Sequence, residues 1–245
     1  MKTKMVSAVR EFFLSRKSVV AFAICSVFAA SVTWGVYRYT YHLNLQRLRE
    51  RAMGIAATAA LQFDVHELEK IQSYKDVSKP EYRKIVEALN DIREQNPNVK
   101  YAYIMKPTSD PYFWQFIADA DSHPLLPFVD LNGDGLLNDQ VAPGHVWLDE
   151  EPGKSAIVRG LTEPGADENA YKDPWGTWIG GVAPIMKNNL PFAIIGVDFN
   201  ASDVAKMTFA AMTPWVLMLL FVVMLIVFRL LAQNIFSLQS VLIKR

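Results

Sequence analysis

Residues 173–204 read DPWGTWIGGVAPIMKNNLPFAIIGVDFNASDV. Two runs with a period of two, WGTWIGGVAPIM and PFAIIGVDF, flank the turn Lys187-Asn188-Asn189. Such runs around an Asn-rich turn predict two neighbouring antiparallel strands. Asp198 sits inside the second, otherwise apolar run, where a carboxylate needs a partner: a ligand amine, a backbone group or an arginine. Beyond Lys206 the pattern turns uncharged and largely apolar, so this hairpin feeds into a long hydrophobic segment.

That segment, 207–228, contains no Asp, Glu, Lys or Arg, and neither does 18–37 near the other end. A bilayer needs about 20 apolar residues as helix, so both runs are predicted transmembrane helices. Lys2, Lys4, Arg10, Arg16 and Lys17 precede the first run against Glu11 alone. Arg229, Lys244 and Arg245 follow the second with no acid. Short basic flanks stay in the cytoplasm. The sequence therefore predicts a cytoplasmic N-terminus 1–17, a periplasmic or extracellular domain 38–206 and a cytoplasmic tail 229–245, as in a two-pass protein of a bacterial inner membrane. Trp34, Tyr37, Tyr39, Tyr41 and Trp215 suit the outer interface. The alternative of a cleaved signal peptide rests on Ala29-Ala30-Ser31, but the apolar run exceeds the usual h-region of ~7–15 residues. The single cysteine, Cys25, lies in the first run. The outer domain thus has no internal disulfide, and its own core must hold it.

Within 38–206 a helical pattern comes first. Leu45, Leu48, Ala52, Ile55 and Ala59 form a heptad-like seam that either packs on its own domain or pairs two copies. VSKPEYRKIVEALNDIREQNPN predicts a second helix, with Ser78 as cap, Pro80 in the first turn and Ile85, Val86, Leu89 and Ile92 on one stripe. VKYAYIM (99–105) and YFWQFIA (112–118) alternate as strands. A long acidic region, 119–173, follows, with Lys154, Arg159 and Lys172 its only bases. This order predicts an α+β fold with an antiparallel sheet covered on one face by helices.

NPNVKYAYIM, FWQFIADAD, DPWGTWIGGVAPI and AIIGVDFNASDV, in that order between two apolar segments, resemble the extracytoplasmic Cache domain. This is a PAS-like sensor module of bacterial histidine kinases, diguanylate cyclases and chemoreceptors. The resemblance spans roughly 40–206, and its single-sheet version fits the length. It implies a small ligand held between the sheet and the loops that cover it. Tyr101 and Tyr103 on one strand, Trp114 on the next, Asp173, Trp175 and Trp178 around the following loop and strand, and Asp198 are the candidate ligand-binding residues. A period-two aromatic stripe also serves as plain core. The amino-acid-binding pattern of the double Cache family places an arginine before the aromatic of the second strand. KPTSDPYFW has none, so the resemblance does not extend to amino-acid or amine sensing.

DLNGDGLLNDQV, residues 130–141, reads as an EF-like calcium loop. Asp130, Asn132 and Asp134 hold positions 1, 3 and 5. Gly135 makes the turn, Leu136 offers a carbonyl, and Asn138 holds position 9. The bidentate glutamate of position 12 is replaced by Val141, with Asp139 the nearest spare carboxylate. Pro127 and Pro143 do not suit a helix pair. The loop is either a weak Ca²⁺ site clipping the acidic region or a solvated Asx/Gly turn.

Catalytic motifs are absent: there is no Gly-rich phosphate loop, GxSxG or HExxH, and His42, His66, His123 and His145 are not at ligand spacing. No basic aromatic patch points to nucleic acid. The chain is expected not to be an enzyme. LLAQNIFSLQSVLIKR is amphipathic, too short for an output domain, and suited to the lipid surface or to a partner. The expected function is a membrane-anchored sensor or ligand-binding module that signals through a homodimer, a membrane-protein partner or an output domain. The alternative is a structural subunit of a membrane complex, with the Cache fold reused as a scaffold. If the loop 130–141 takes calcium, millimolar calcium raises the melting temperature of the protein by mass action, and Asp134→Ala abolishes the rise. Equal melting of wild type and variant with and without calcium leaves the loop a turn.

Overall fold

The structure, a computed structural model, describes residues 16–122, 141–150, 152, 155–173 and 175–243. By internal contacts the chain divides into two units, Asn44–Ala205 and the segments on either side of it. A long helix, α1 (Arg16–Ala60), opens the chain, followed by the short α2 (Val65–Leu68), a 3-10 turn (Tyr74–Ser78) and α3 (Pro80–Gln95). Then come β1 (Val99–Pro107), β2 (Phe113–Asp119), β3 (Val146–Leu148), α4 (Ala156–Arg159), β4 (Gly165–Ala166) and β5 (Tyr171–Asp173). The hairpin β6 (Gly176–Lys187) and β7 (Leu190–Asn200) leads into α5 (Ser202–Ile243). The sheet has seven strands in the order β3-β2-β1-β7-β6-β4, with β5 also paired to β6, and every pairing is antiparallel.

The β6–β7 hairpin is the spine of this sheet. Asn188 (φ 51°) and Asn189 (φ 64°) form the two-residue turn between the paired Lys187 and Leu190. Positive φ at both turn residues matches the twist of the flanking strands, and asparagine tolerates it best after glycine. Alternation along the hairpin then sends one set of side chains to each face.

On one face lie the helices. In α3, Tyr82, Ile85, Val86, Leu89 and Ile92 are buried on one stripe. Its cap is Lys79, because Ser78 ends the preceding 3-10 turn. The C-terminal end is closed by the Asn96 side-chain amide, which donates to the Ile92 carbonyl at 2.7 Å. On α1, Leu48 is 4% exposed, and Ala52, Ala56 and Ala59 are buried with it. This stripe packs on the chain's own sheet, with Leu45 and Ile55 at its half-buried edges. Ala52 lies so near β6 that a Cβ built on Gly181 falls 2.3 Å from the Ala52 carbonyl carbon. Only glycine in the strand and alanine in the helix allow this approach.

The sequence reading of 119–173 as loops is corrected by β3, α4, β4 and β5. Elements of two to four residues are too short to show a period. The Ser122 hydroxyl donates to the Val141 carbonyl. The calcium-loop residues Asp130, Asn132, Asp134, Leu136, Asn138 and Asp139 lie outside the described residues. Among the described residues, one segment, Ser202–Phe228 of α5, is 27 residues long and apolar enough to cross a membrane.

Gly181→Val is expected to destabilise the domain by about 3 kcal/mol through overpacking against the α1 backbone. Gly54→Ala, on the same helix with nothing within 4 Å of the new Cβ, is expected to stabilise by about 1 kcal/mol through helix propensity. Urea unfolding of both variants checks the pair. Equal stability of Gly181→Val and wild type would overturn the close helix–sheet contact.

Candidate functional site

The other face of the sheet carries the site. Asp198 of β7 is in register with Tyr101 of β1 on one side and Gly180 of β6 on the other. It is 3% exposed. The Tyr171 hydroxyl of β5 donates to its Oδ2 at 2.9 Å, and the Tyr103 hydroxyl of β1 reaches Oδ1 at 3.4 Å. Tyr103 gets there by lying across β7 at Gly196, where a Cβ would fall 2.3 Å from the tyrosine ring.

Two further aspartates flank this centre. Asp167 accepts the backbone N–H of Ala156 at 3.1 Å and of Gly180 at 2.8 Å. A Cβ on Gly180 would stand 2.7 Å from an Asp167 oxygen and 2.8 Å from Asp198. The glycine is what lets the two carboxyl groups share one region. Asp173 accepts three donors on Oδ1, each at 2.8 Å: the Trp175 and Gly176 N–H groups and the Trp178 indole.

Against this face of the sheet lies a chamber of about 40 Å³. Tyr101, Tyr103, Phe116, Trp147, Tyr171 and Trp175 supply its aromatic wall. Asp119, Asp121, Asp173 and Asp198 supply its polar groups, and among the described lining residues there is no lysine, arginine or histidine. A wider cleft of about 880 Å³ shares Tyr103, Trp147, Ile157, Tyr171 and Asp173 with it.

Of the residues singled out by sequence, Tyr101, Tyr103, Asp173, Trp175 and Asp198 meet around this one chamber. Trp178 stands behind it, edge-on to Tyr101 at 4.8 Å, with its indole on Asp173. Trp114 belongs to the apolar cluster below, in register with Trp147. Sequence reasoning missed Asp119, Asp121, Trp147, Asp167 and Tyr171. Tyr171 was legible: it stands two residues before Asp173, and alternation puts both on one face. Trp147 and Asp167 carried no such signal.

The charges are under strain. Burial, and then its neighbours Asp167 and Asp173, pushes the Asp198 carboxyl well above the usual carboxylate range against the bonds from Tyr171 and Tyr103. Burial likewise raises Asp167 and Asp173. Burial and then Asp121 push Asp119 up to about 7, partly offset by the Asp121 N–H and Arg93. Asp121 itself is paired with Arg93 of α3 through Oδ1, while its buried Oδ2 has no hydrogen-bond partner among the described residues.

No family model matches the chain. No curated protein matches it. Among solved structures it is similar to the sensory domain of the Campylobacter jejuni chemoreceptor Tlp3 with isoleucine bound, at 11% identity and a TM-score of 0.42 over 75% of this chain. It is also similar to the extracellular domain of the putative histidine kinase mmHK1S-Z2, at 14% identity and a TM-score of 0.35 over 70% of this chain. An extracellular ligand-binding receptor from Desulfohalobium retbaense aligns at 10% identity and a TM-score of 0.41 over 72% of this chain. These neighbours are receptor domains. The chain spans 65%, 60% and 27% of their respective lengths.

Raised carboxyl groups give a pH dependence of known sign. A folded state that holds its proton more tightly than the unfolded state loses stability as pH rises. For Asp119 the loss runs from the unfolded value of about 4 up to about 7. Asp119→Asn is expected to flatten the fall of the urea midpoint across that window and to leave the residual fall from Asp167 and Asp198. An unchanged slope would mean that Asp119 ionises freely.

Proposed function

We propose that this chain is a membrane-anchored extracytoplasmic sensor that binds a small molecule in the chamber under Asp198. The observation that supports this reading is the chamber itself, whose wall combines six aromatic rings with four carboxyl groups and no base among its described lining residues. A core built only for stability has little use for such groups, since each desolvated carboxyl opposes folding unless fully satisfied. Aromatic-lined concavities with few convergent polar groups are the usual form of ligand sites.

In this reading 18–37 and 207–228 are the two membrane spans, and both termini are cytoplasmic. The sheet and its site face the periplasm or the exterior. β7 runs directly into α5, so a ligand touching Asp198 acts on the strand that continues into the second span. The signal passes to a homodimer mate, a membrane partner or an output domain. The buried stripe of α1 is taken by the chain's own sheet, so pairing would use other surfaces. The loop 130–141, as read from its sequence, is a weak calcium clip.

A second reading is favoured by the chamber's size. A space of about 40 Å³ holds only a few non-hydrogen atoms, as in a scaffold subunit whose site has closed. Native mass spectrometry of the full chain released from detergent separates the two. A bound small molecule, lost on partial unfolding, is expected. A bare chain that no member of a broad metabolite panel protects from heat would favour the scaffold.

A further inference from the structure

We infer that the end of the domain at which the chain passes into α5 is a docking surface for anionic phospholipid head groups. This rests on the reading of α5 as a membrane span and is independent of what the chamber holds.

The argument starts from where the bases are. Residues 38–206 hold 24 acids against 17 bases, yet the bases are not spread evenly. Arg47, Arg49 and Arg51 lie within two turns of α1. Lys100 is the second residue of β1 and Lys172 the middle residue of β5, and both are exposed. The pairing register brings these segments together. Val99 is opposite Phe199, Lys172 is opposite Thr177, and the Thr177 carbonyl accepts the N–H of Ala201 at 2.9 Å. The Arg51 guanidinium lies over the Phe199 ring at 5.5 Å and donates to the Pro97 carbonyl at 3.0 Å. Ala201 is followed at once by Ser202, where the membrane-length apolar segment begins.

What holds these charges does not cancel them. Around the opposite end of the β6–β7 hairpin the lysines are paired: Lys187 with Glu69, Lys70 with Glu81, Lys79 with Asp76 and Lys84 with Glu67. Among the described residues, Arg47, Arg51, Lys100 and Lys172 have no carboxylate at ion-pair distance. Arg51 is held by a ring and a carbonyl, and Lys100 by the Tyr101 ring at 5.7 Å. Such contacts fix a cation in place without neutralising it. The buried Nε of Arg49 has no hydrogen-bond partner among the described residues. Of the acids at this end, Glu50 accepts the Gln46 amide at 3.1 Å, and Asp173 accepts three N–H groups on one oxygen. Glu94 and Asp203 belong to the last turn of α3 and the first turn of α5.

A lipid phosphate offers the acceptor that this set lacks. Guanidinium groups take a phosphate through two parallel bonds. Lysines beside a membrane keep their stems on apolar surface and extend their ammonium groups to the head groups. Each base near an anionic surface adds about fivefold in affinity. A phosphate on a soluble molecule would meet the same bases, but not the apolar segment that begins at Ser202, so the surface is assigned to the membrane.

The test is hydrogen–deuterium exchange of the full chain in nanodiscs of phosphatidylcholine, with or without one part in four of phosphatidylglycerol. Backbone exchange over 96–101 and 169–173 is expected to slow at least fivefold in the anionic discs, while the turn 187–190 is unchanged. High salt is expected to remove the difference, because exposed charges are screened. A variant combining Arg47→Gln, Lys100→Gln and Lys172→Gln is expected to melt as the wild type does and to exchange alike in the two discs. Equal exchange of the wild type in both discs would overturn the lipid surface and leave the sensor reading untouched. Equal slowing at 187–190, or slowing that the triple variant keeps, would do the same. A chain that enters neither disc would overturn the span, and this surface with it.

Discussion

Two adjacent glycines in β6 are the constraint on which the rest of the domain depends. Gly181 faces the helices and lets the backbone of α1 come to rest on the sheet at Ala52. Gly180 faces the other way and leaves room for Asp167 and Asp198 to approach the same strand. Strand alternation makes this division unavoidable, because neighbouring residues must point to opposite faces. One dipeptide therefore sets both the helix–sheet distance and the geometry of the carboxyl cluster.

From this follows a separation of tasks between the two faces. The helix face is dry and aliphatic, with Ile104, Ile117, Ile179, Ile195 and Phe199 buried almost completely. The opposite face is aromatic and acidic, and its polar groups are held by short local elements instead of by the sheet alone. Asp167 is fixed by the N–H of Ala156 at the start of α4, and Asp173 by the turn into β6. Asp121 is held by Arg93 of α3, which in turn bonds the Asn90 side chain at 2.7 Å, while Asn90 donates to the Ala120 carbonyl at 2.8 Å. The stability of the helix face thus carries an opposite face whose clustered carboxyl groups are electrostatically unfavourable. In the proposed reading a ligand, and not the fold, supplies the missing charge.

Much of this was legible in the chain. The β6–β7 hairpin is visible because its period, its Asn-Asn turn and its length all agree, and β1, β2 and α3 are visible for the same reason. Five of the seven candidate residues chosen from sequence line one chamber, because aromatic residues with a period of two share a sheet face. Trp114 shares that face too, yet packs into the apolar cluster. Which member of a stripe faces a cavity depends on what covers it, and β3, α4, β4 and β5 are too short to announce themselves. The seam of α1 was equally ambiguous by sequence. A stripe of Leu and Ala has no mark for its own sheet or for another chain, and only the contact with Gly181 decides it.

The sequence by itself determined the order of elements, the antiparallel hairpins, the apolar segments at both ends and the acidic character of 119–173. These depend on periodicity and composition, which are local properties. The tertiary structure alone decided that Asp167, Asp173 and Asp198 stand together with Tyr103 and Tyr171. The pairing register brings Asp198 opposite Gly180 and Tyr101, and short elements distant in the chain close over them. Charges far apart in sequence acquire their mutual repulsion, and their raised affinity for protons, only when folding removes the water between them.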